Sequence, residues 1–162
     1  MRVQAGIDVA APPRLVWGFV IDPTRYLHFM NGITRWEIAS ERATGCGARY
    51  RTLMRVGSAE VGGLIEIVEY EEPRDLAWTS VTGIDQRGRW RLRERAHGTR
   101  TRVELRLQYG VAGAGLLGWV AEQVAAPAVR ENLRRSLREL KRQAEHEQAR
   151  AAVAARRAAA AR

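Results

Sequence analysis

ARYRTLMRVGSAEVGGLIEIVEY, residues 48–70, is the stretch of sequence that decides the fold. In it, two runs of alternating apolar and polar residues, 48–56 and 59–70, are separated by Gly57 and Ser58. A period of two is typical of strands that bury one face, and a two-residue connection containing glycine is typical of a tight hairpin. The stretch therefore predicts two antiparallel strands joined by a hairpin turn.

The register of this hairpin follows from pairing the last residue of its first strand with the first residue of its second. Arg49 then faces Glu66 and Arg55 faces Glu60, so opposite charges meet on one face. The other face brings together Tyr50 and Ile65, Thr52 and Gly63, and Met54 and Val61. Because a slip by one residue would turn every apolar side chain to the wrong face, this register is strongly specified.

A second hairpin is predicted from residues 87–96 and 99–109. Its apolar face consists of Trp90 opposite Leu105 and Leu92 opposite Val103. Its other face carries Arg89, Arg91, Arg93 and Arg95. A sheet with one apolar face and one charged face covers the protein interior on one side only.

Shorter segments complete the order of elements. The remaining strands are predicted at residues 3–9, 34–41 and 76–82. Residues 14–20 have apolar side chains at helical spacing and predict a short helix. Asp22 as N-cap, with Pro23 at the first helical position, predicts a second short helix directly after it.

Residues 116–147 predict one long C-terminal helix that the sheet covers. Its apolar stripe consists of Leu116, Val120, Val124, Val129, Leu133, Leu137 and Leu140. Pro127 lies in this run and is expected to kink the helix into two segments. Residues 148–162 are an alanine- and arginine-rich tail, which can extend the helix by propensity but has no core to pack on. The predicted organisation is one domain, 1–147, followed by this tail.

Composition places the chain among ordinary globular proteins. The 162 residues suit one domain, and 46% hydrophobic with 28% charged residues argues against disorder. Cys46 is the only cysteine, which excludes an intrachain disulfide and a cysteine metal cluster. The first residues lack the apolar core of a signal peptide, and no segment reaches the ~18 apolar residues of a membrane span. A cytoplasmic location is therefore expected.

The net charge of +9 comes almost entirely from arginine, since Lys141 is the only lysine. A basic surface allows an anionic partner, and transient contact with an anionic membrane surface is one expectation. Nucleic acid is not expected as a partner, because no aromatic side chains alternate with the outward arginines as stacking platforms.

Five short motifs carry a likeness to a known superfamily. They are IDVAAP (7–12), DPTRY (22–26), GARY (47–50), PRDLAW (73–78) and GTRTRV (98–103). Together with the order of strand, two short helices, six strands and long helix, they resemble the START-like superfamily, also called SRPBCC, which contains the polyketide cyclase/dehydrase and lipid-transport families. The resemblance covers roughly residues 3–145.

The resemblance implies an α+β helix-grip fold, in which a curved seven-stranded antiparallel sheet surrounds a long C-terminal helix. It also implies a cavity between sheet and helix for an apolar or amphipathic ligand, such as a lipid, sterol or polyketide. This fold hosts carriers, cyclases and regulators, so the resemblance does not decide the activity. Two hypotheses follow: binding or transport of a hydrophobic small molecule, or a polyketide cyclase or aromatase acting on a ligand in the same cavity.

The predicted inner face supplies the candidate ligand-binding residues. They are Tyr26, Tyr50, Thr52, Met54, Val61, Gly63, Ile65, Trp90, Leu92, Val103, Leu105, Tyr109, Val120 and Val124. No inward pair of acid and base is predicted, so no catalytic residue is assigned, and neither a metal nor an organic cofactor is expected. His28, in the second short helix, is either a surface residue or a general acid/base at the cavity mouth.

Overall fold

A computed structural model describes residues 2–56, 58–110 and 115–161, with the side chains of all of these except 56 and 115–126. The elements in chain order are β1 (Arg2–Val9), α1 (Pro13–Ile21), α2 (Tyr26–Phe29), β2 (Ile33–Ile38), β3 (Arg49–Val56), β4 (Ala59–Glu71), β5 (Asp75–Gly83), β6 (Asp85–Arg95), β7 (Arg100–Gly110) and α3 (Gly115–Ala160). The expected order of strand, two short helices, six strands and one long helix is confirmed.

The strands form one curled antiparallel sheet in the order β1-β7-β6-β5-β4-β3-β2. Both predicted hairpin registers are confirmed. Thr52 on β3 lies opposite Gly63 on β4, and Trp90 on β6 lies opposite Leu105 on β7. Because side chains alternate along a strand, the apolar sets of both hairpins face the same concave side, where α3 packs.

The second short helix is shorter than predicted. α2 begins only at Tyr26, and Arg25 rather than Asp22 is its N-cap residue. The Asp22 carboxylate instead accepts hydrogen bonds from the Thr24 backbone N–H at 2.9 Å and from the Thr24 hydroxyl at 2.6 Å. Asp22 thus stabilises the turn between α1 and α2, a local role that aspartate often takes in turns.

The long helix α3 runs without interruption through Pro127. The expected division into two segments is therefore wrong at the level of secondary structure: the proline removes one backbone N–H, but helix continues on both sides of it. The apolar stripe is buried at Val129, Leu133, Leu137 and Leu140. Residues 148–160 continue the helix with mostly exposed side chains. In the part of the chain that the structure describes, no helix is long and apolar enough to cross a membrane.

Polar contacts fix the middle of α3 against β1 and the loop after α2. The Ser136 hydroxyl oxygen accepts from the Asn31 backbone N–H at 2.8 Å, and Asn132 Oδ1 accepts from Asn31 Nδ2 at 2.7 Å. Lys141 Nζ donates to the Asp8 carbonyl oxygen at 2.8 Å. These bonds set the position of the helix over one end of the concave face.

On the convex face, several arginines of β6 are paired rather than free. The Asp75 side chain is only 5% exposed, and its carboxylate oxygens lie 3.2 Å from Arg91 Nε and 2.9 Å from Arg93 Nη2. Arg89 donates to Glu69, and its Nη1 lies 3.9 Å from Asp75. One buried carboxylate therefore holds three arginines of a single strand, which lie on the face that the sequence predicts to be in water.

Candidate functional site

A partly enclosed cavity of about 300 Å³ lies between the concave face of the sheet and α3. The residues that line it are Met30, Ile33, Trp36, Thr52, Met54, Ala59, Val61, Gly62, Ile65, Trp78, Ile84, Gln86, Leu105, Leu107, Tyr109, Val129 and Leu133. Most of these side chains are apolar, so the cavity suits a molecule with a large hydrophobic surface.

The cavity occupies only one end of the sheet. On β7, Leu107 lines it, whereas Val103 on the same face is fully buried in the core. On α3, Leu133 lines it, whereas Leu137, one turn later, packs in the core. The short helices and the middle of α3 fill the far end of the concave face, which leaves space at the end where β3 turns into β4.

Few polar side chains reach this cavity. Gln86 and Tyr109 lie opposite each other on β6 and β7, and both line it. Thr52 is buried, and its hydroxyl lies 3.4 Å from the Gly63 carbonyl oxygen, to which it donates. Among the lining residues that the structure describes, none carries a charge. A polar group of a ligand would therefore meet neutral donors and acceptors.

The Trp36 side chain lines the cavity and packs on aromatic rings that lie outside the lining. The Trp36 ring stacks on Tyr26, with centroids 4.0 Å apart, and lies 5.7 Å from the Tyr50 ring. The Tyr26 hydroxyl donates to the Val20 carbonyl oxygen at 2.8 Å and accepts from Trp90 Nε1 at 3.0 Å. Burial raises the pKa of Tyr26, and it raises the pKa of Tyr50 to about 12. Both hydroxyls stay protonated at neutral pH, so they serve as hydrogen-bond donors rather than as bases.

The structure separates the predicted ligand-binding residues into three groups. Lining the cavity are Thr52, Met54, Val61, Ile65, Leu105 and Tyr109. Outside its lining are Tyr26, Tyr50, Gly63, Trp90, Leu92 and Val103. Beyond the described side chains are Val120 and Val124, together with Leu116 of the predicted stripe. The second group lies outside this cavity, and ligand binding by its members stays a prediction. For its side chains the reason is shared, because alternation identifies the face of a sheet but not which end of that face the helices leave open.

Gly63 lies outside the lining and has a structural role in the sheet. A Cβ atom at this position would lie 2.0 Å from the Thr82 carbonyl oxygen, so the close approach of β4 and β5 requires glycine here. The neighbouring Gly62 lines the cavity instead.

Sequence reasoning missed several lining residues, of which Gln86 is the most informative. β6 begins at Asp85, two residues earlier than predicted. A signal for Gln86 was nevertheless present, because extending the register of Trp90 and Leu105 in steps of two leads to Gln86 opposite Tyr109. Besides Gln86 and Gly62, the lining residues that were missed on the strands and the loops are Met30, Ile33, Trp36, Ala59, Trp78, Ile84 and Leu107.

Gly88 shapes the cavity by leaving room for the Trp78 indole. A Cβ atom at position 88 would lie 1.9 Å from Trp78 Cζ2. We expect Gly88→Ala to displace the indole and to lower the free energy of unfolding by about 1–3 kcal/mol, the usual cost of overpacking. In protein labelled with 5-fluorotryptophan, the ¹⁹F resonance of Trp78 should move, while that of Trp17, outside the lining, should stay. A Trp78 resonance that does not move would contradict this role.

The structure gives the position of His28 and shows whether potential metal ligands lie together. His28 is exposed on α2 and is not part of the cavity lining, which favours its interpretation as a surface residue. In the described ranges, no cluster of three or more histidine, cysteine, aspartate or glutamate side chains could hold a metal ion.

Solved structures with the same fold include proteins from several bacteria. A protein from Thermus thermophilus has 20% sequence identity and a TM-score of 0.76, over 89% of this chain and 97% of that one. The Zhui aromatase/cyclase from a Streptomyces species has 22% identity and a TM-score of 0.74, over 90% and 93%. A START superfamily protein from Mycobacterium smegmatis has 15% identity and a TM-score of 0.69, over 88% and 97%. At these identities, the similarity shows the helix-grip fold alone.

Sequence comparison identifies the family. Among curated proteins, no sequence matches this chain. The profile of one family, described as polyketide cyclase/dehydrase and lipid transport, matches residues 1–145. This match spans the whole sheet and the part of α3 that packs on it. The chain therefore belongs to the polyketide cyclase/dehydrase and lipid transport family.

Proposed function

We propose that this protein binds or transports a hydrophobic small molecule, lipid-like or polyketide-like, in the cavity between the sheet and α3. The observation that carries the proposal is the cavity itself, about 300 Å³ in volume and lined mainly by apolar side chains. Compact cores are packed without large voids, so a cavity of this size in a small domain is a feature that function would explain. Membership of a family named for polyketide and lipid chemistry supports the same class of ligand.

A polyketide cyclase or aromatase is the alternative function for the same cavity. Cyclisation requires groups that move protons to and from the substrate. The described lining offers the Thr52 hydroxyl, the Gln86 amide and the Tyr109 phenol, but no carboxylate or imidazole. Binding without chemistry is therefore the function that this geometry supports best, and formation of a cyclised product from a poly-β-ketone would overturn that choice.

Filling the cavity with a larger side chain tests the proposal. Met54 is half-buried and lines the cavity from β3, so an indole at this position should occupy the ligand volume. We expect Met54→Trp to bind the uncharged fluorescent probe N-phenyl-1-naphthylamine at least tenfold more weakly than the wild type. Fluorescence titration with increasing probe measures this.

The matched control is Arg51→Trp, which adds the same indole to the convex face of the same strand, where the side chain is exposed. This variant should bind the probe as the wild type does. The proposal fails if the wild type shows no saturable binding, or if both variants bind equally well.

A further inference from the structure

We infer that the cavity accepts uncharged ligands with a hydroxyl or carbonyl group near Gln86, and rejects anionic ligands of the same shape. The inference rests on the proposed function, because it names the class of molecule bound in the same cavity. A preference for uncharged ligands is the opposite of what the net charge of +9 suggests, because a basic protein is expected to favour anions.

Within the described residues, charge is distributed unevenly between the cavity and the protein surface. The cavity lining there contains no arginine, lysine or histidine. The arginines of β6 alternate with the inward residues and lie on the convex face, where Arg91 and Arg93 are held by Asp75. Arg87, the neighbour of Gln86 in the chain, is exposed on that same face. The sheet therefore separates these positive charges from the ligand space.

Residues 111–126, whose side chains lie outside the described part of the structure, add no positive charge. Residues 111–126 read VAGAGLLGWVAEQVAA and contain one ionisable side chain, Glu122. This segment thus supplies no cationic side chain, and its single charge is negative. No side chain of the segment can form an ion pair with the carboxylate of a bound ligand.

Selectivity for uncharged ligands follows from the free-energy cost of removing a charge from water. A carboxylate that leaves water must find a counter-charge or several hydrogen bonds, and without them its transfer costs several kcal/mol. A hydroxyl or carbonyl group needs only one or two neutral partners. The half-buried Gln86 amide both donates and accepts, so it satisfies such a group. The cavity therefore discriminates by the charge of the ligand rather than by its shape.

A pair of competitors with the same ten-carbon chain tests this inference. At pH 8, 1-decanol and decanoate are titrated against wild-type protein loaded with N-phenyl-1-naphthylamine, at low and at high salt. Displacement of the probe reports the cavity, so decanoate bound to surface arginines does not count. We expect decanoate to displace the probe at least 30-fold more weakly than 1-decanol, with little effect of salt on that ratio.

Gln86→Lys places an ammonium group at the polar end of the cavity, and Gln86→Met is its uncharged control. In folded protein, Gln86→Lys should raise the affinity for decanoate at least tenfold, while Gln86→Met should not. Equal displacement by both competitors in the wild type overturns the inference and leaves the proposed function standing. Absence of probe binding overturns both. A folded Gln86→Lys with unchanged preference overturns the placement of the polar group near Gln86.

Discussion

Asp75→Asn is expected to lower the free energy of unfolding by about 2–3 kcal/mol. Removing one partner of a buried ion pair costs about 3–5 kcal/mol, because the remaining charges lose their counter-ion. The side chains of the three arginines around Asp75 are 32–36% exposed, so water partly screens their charges. The expected loss is therefore about 2–3 kcal/mol and not the full cost of a buried ion pair. Urea unfolding at pH 7 measures it. As a control, Glu60→Gln removes an exposed partner of Arg55 and should cost less than about 1 kcal/mol.

The pH dependence of this effect has a definite sign. Burial raises the pKa of Asp75, but hydrogen bonds from Arg93 and Arg91 and their charges lower it more, so the net pKa is below the ordinary 3.8. A carboxyl group with a lowered folded pKa stabilises the fold above its unfolded pKa, and this stability is lost as the pH falls through the folded value. The difference between wild type and Asp75→Asn should be constant above about pH 5 and shrink below 3.8. A difference that is unchanged down to about pH 2.5 would contradict the assigned ion pairs.

Gly63→Ala is expected to cost about 3 kcal/mol or more, at the upper end of overpacking effects. The added methyl group would meet backbone atoms, the Thr82 carbonyl oxygen at 2.0 Å and Gly83 Cα at 2.9 Å, and no side-chain rotation relieves such contacts. Gly83, which pairs with Gly63, has a φ of +88° that residues with a side chain rarely adopt. The backbone therefore requires glycine at both positions.

The matched control for this change is Gly18→Ala in α1. A Cβ atom at position 18 has no neighbour within 4 Å, and alanine favours helix, so this variant should be neutral or more stable by up to about 1 kcal/mol. Thermal or urea unfolding of both variants provides the comparison. Equal stability of Gly63→Ala and Gly18→Ala would show that β4 and β5 are not in the close contact described.

The two hairpins were predictable because independent local signals agree on them. Alternation assigns each side chain to a face, and cross-strand pairs such as Arg49 with Glu66 select one register over its neighbours. The burial of Asp75 was not predictable in the same way. It depends on the register between β5 and β6, which brings Arg91 opposite Asp75, and no short turn signal specifies that pairing.

The candidate site was predictable only in part, because its position depends on packing between distant elements. Trp90 faces inward as predicted, but Phe29 from α2 packs edge-on against it, with ring centroids 6.2 Å apart. The Trp90 indole N–H donates to the Tyr26 hydroxyl. Leu133 belongs to the predicted apolar stripe of α3, and it also lines the cavity. A periodic pattern predicts which face of the sheet each side chain occupies. The position of the cavity on that face depends on where α1, α2 and α3 pack.

¹⁹F NMR of protein labelled with 5-fluorotryptophan and titrated with 1-decanol shows whether a ligand enters the cavity at one end of the sheet. Resonances are assigned by replacing each tryptophan with phenylalanine in turn. Trp36 and Trp78 line the cavity, whereas Trp17 and Trp90 are buried outside its lining. We expect saturable shifts of the Trp36 and Trp78 resonances, with those of Trp17 and Trp90 unchanged. Shifts confined to Trp17 and Trp90, or no saturable shift at all, would contradict this expectation.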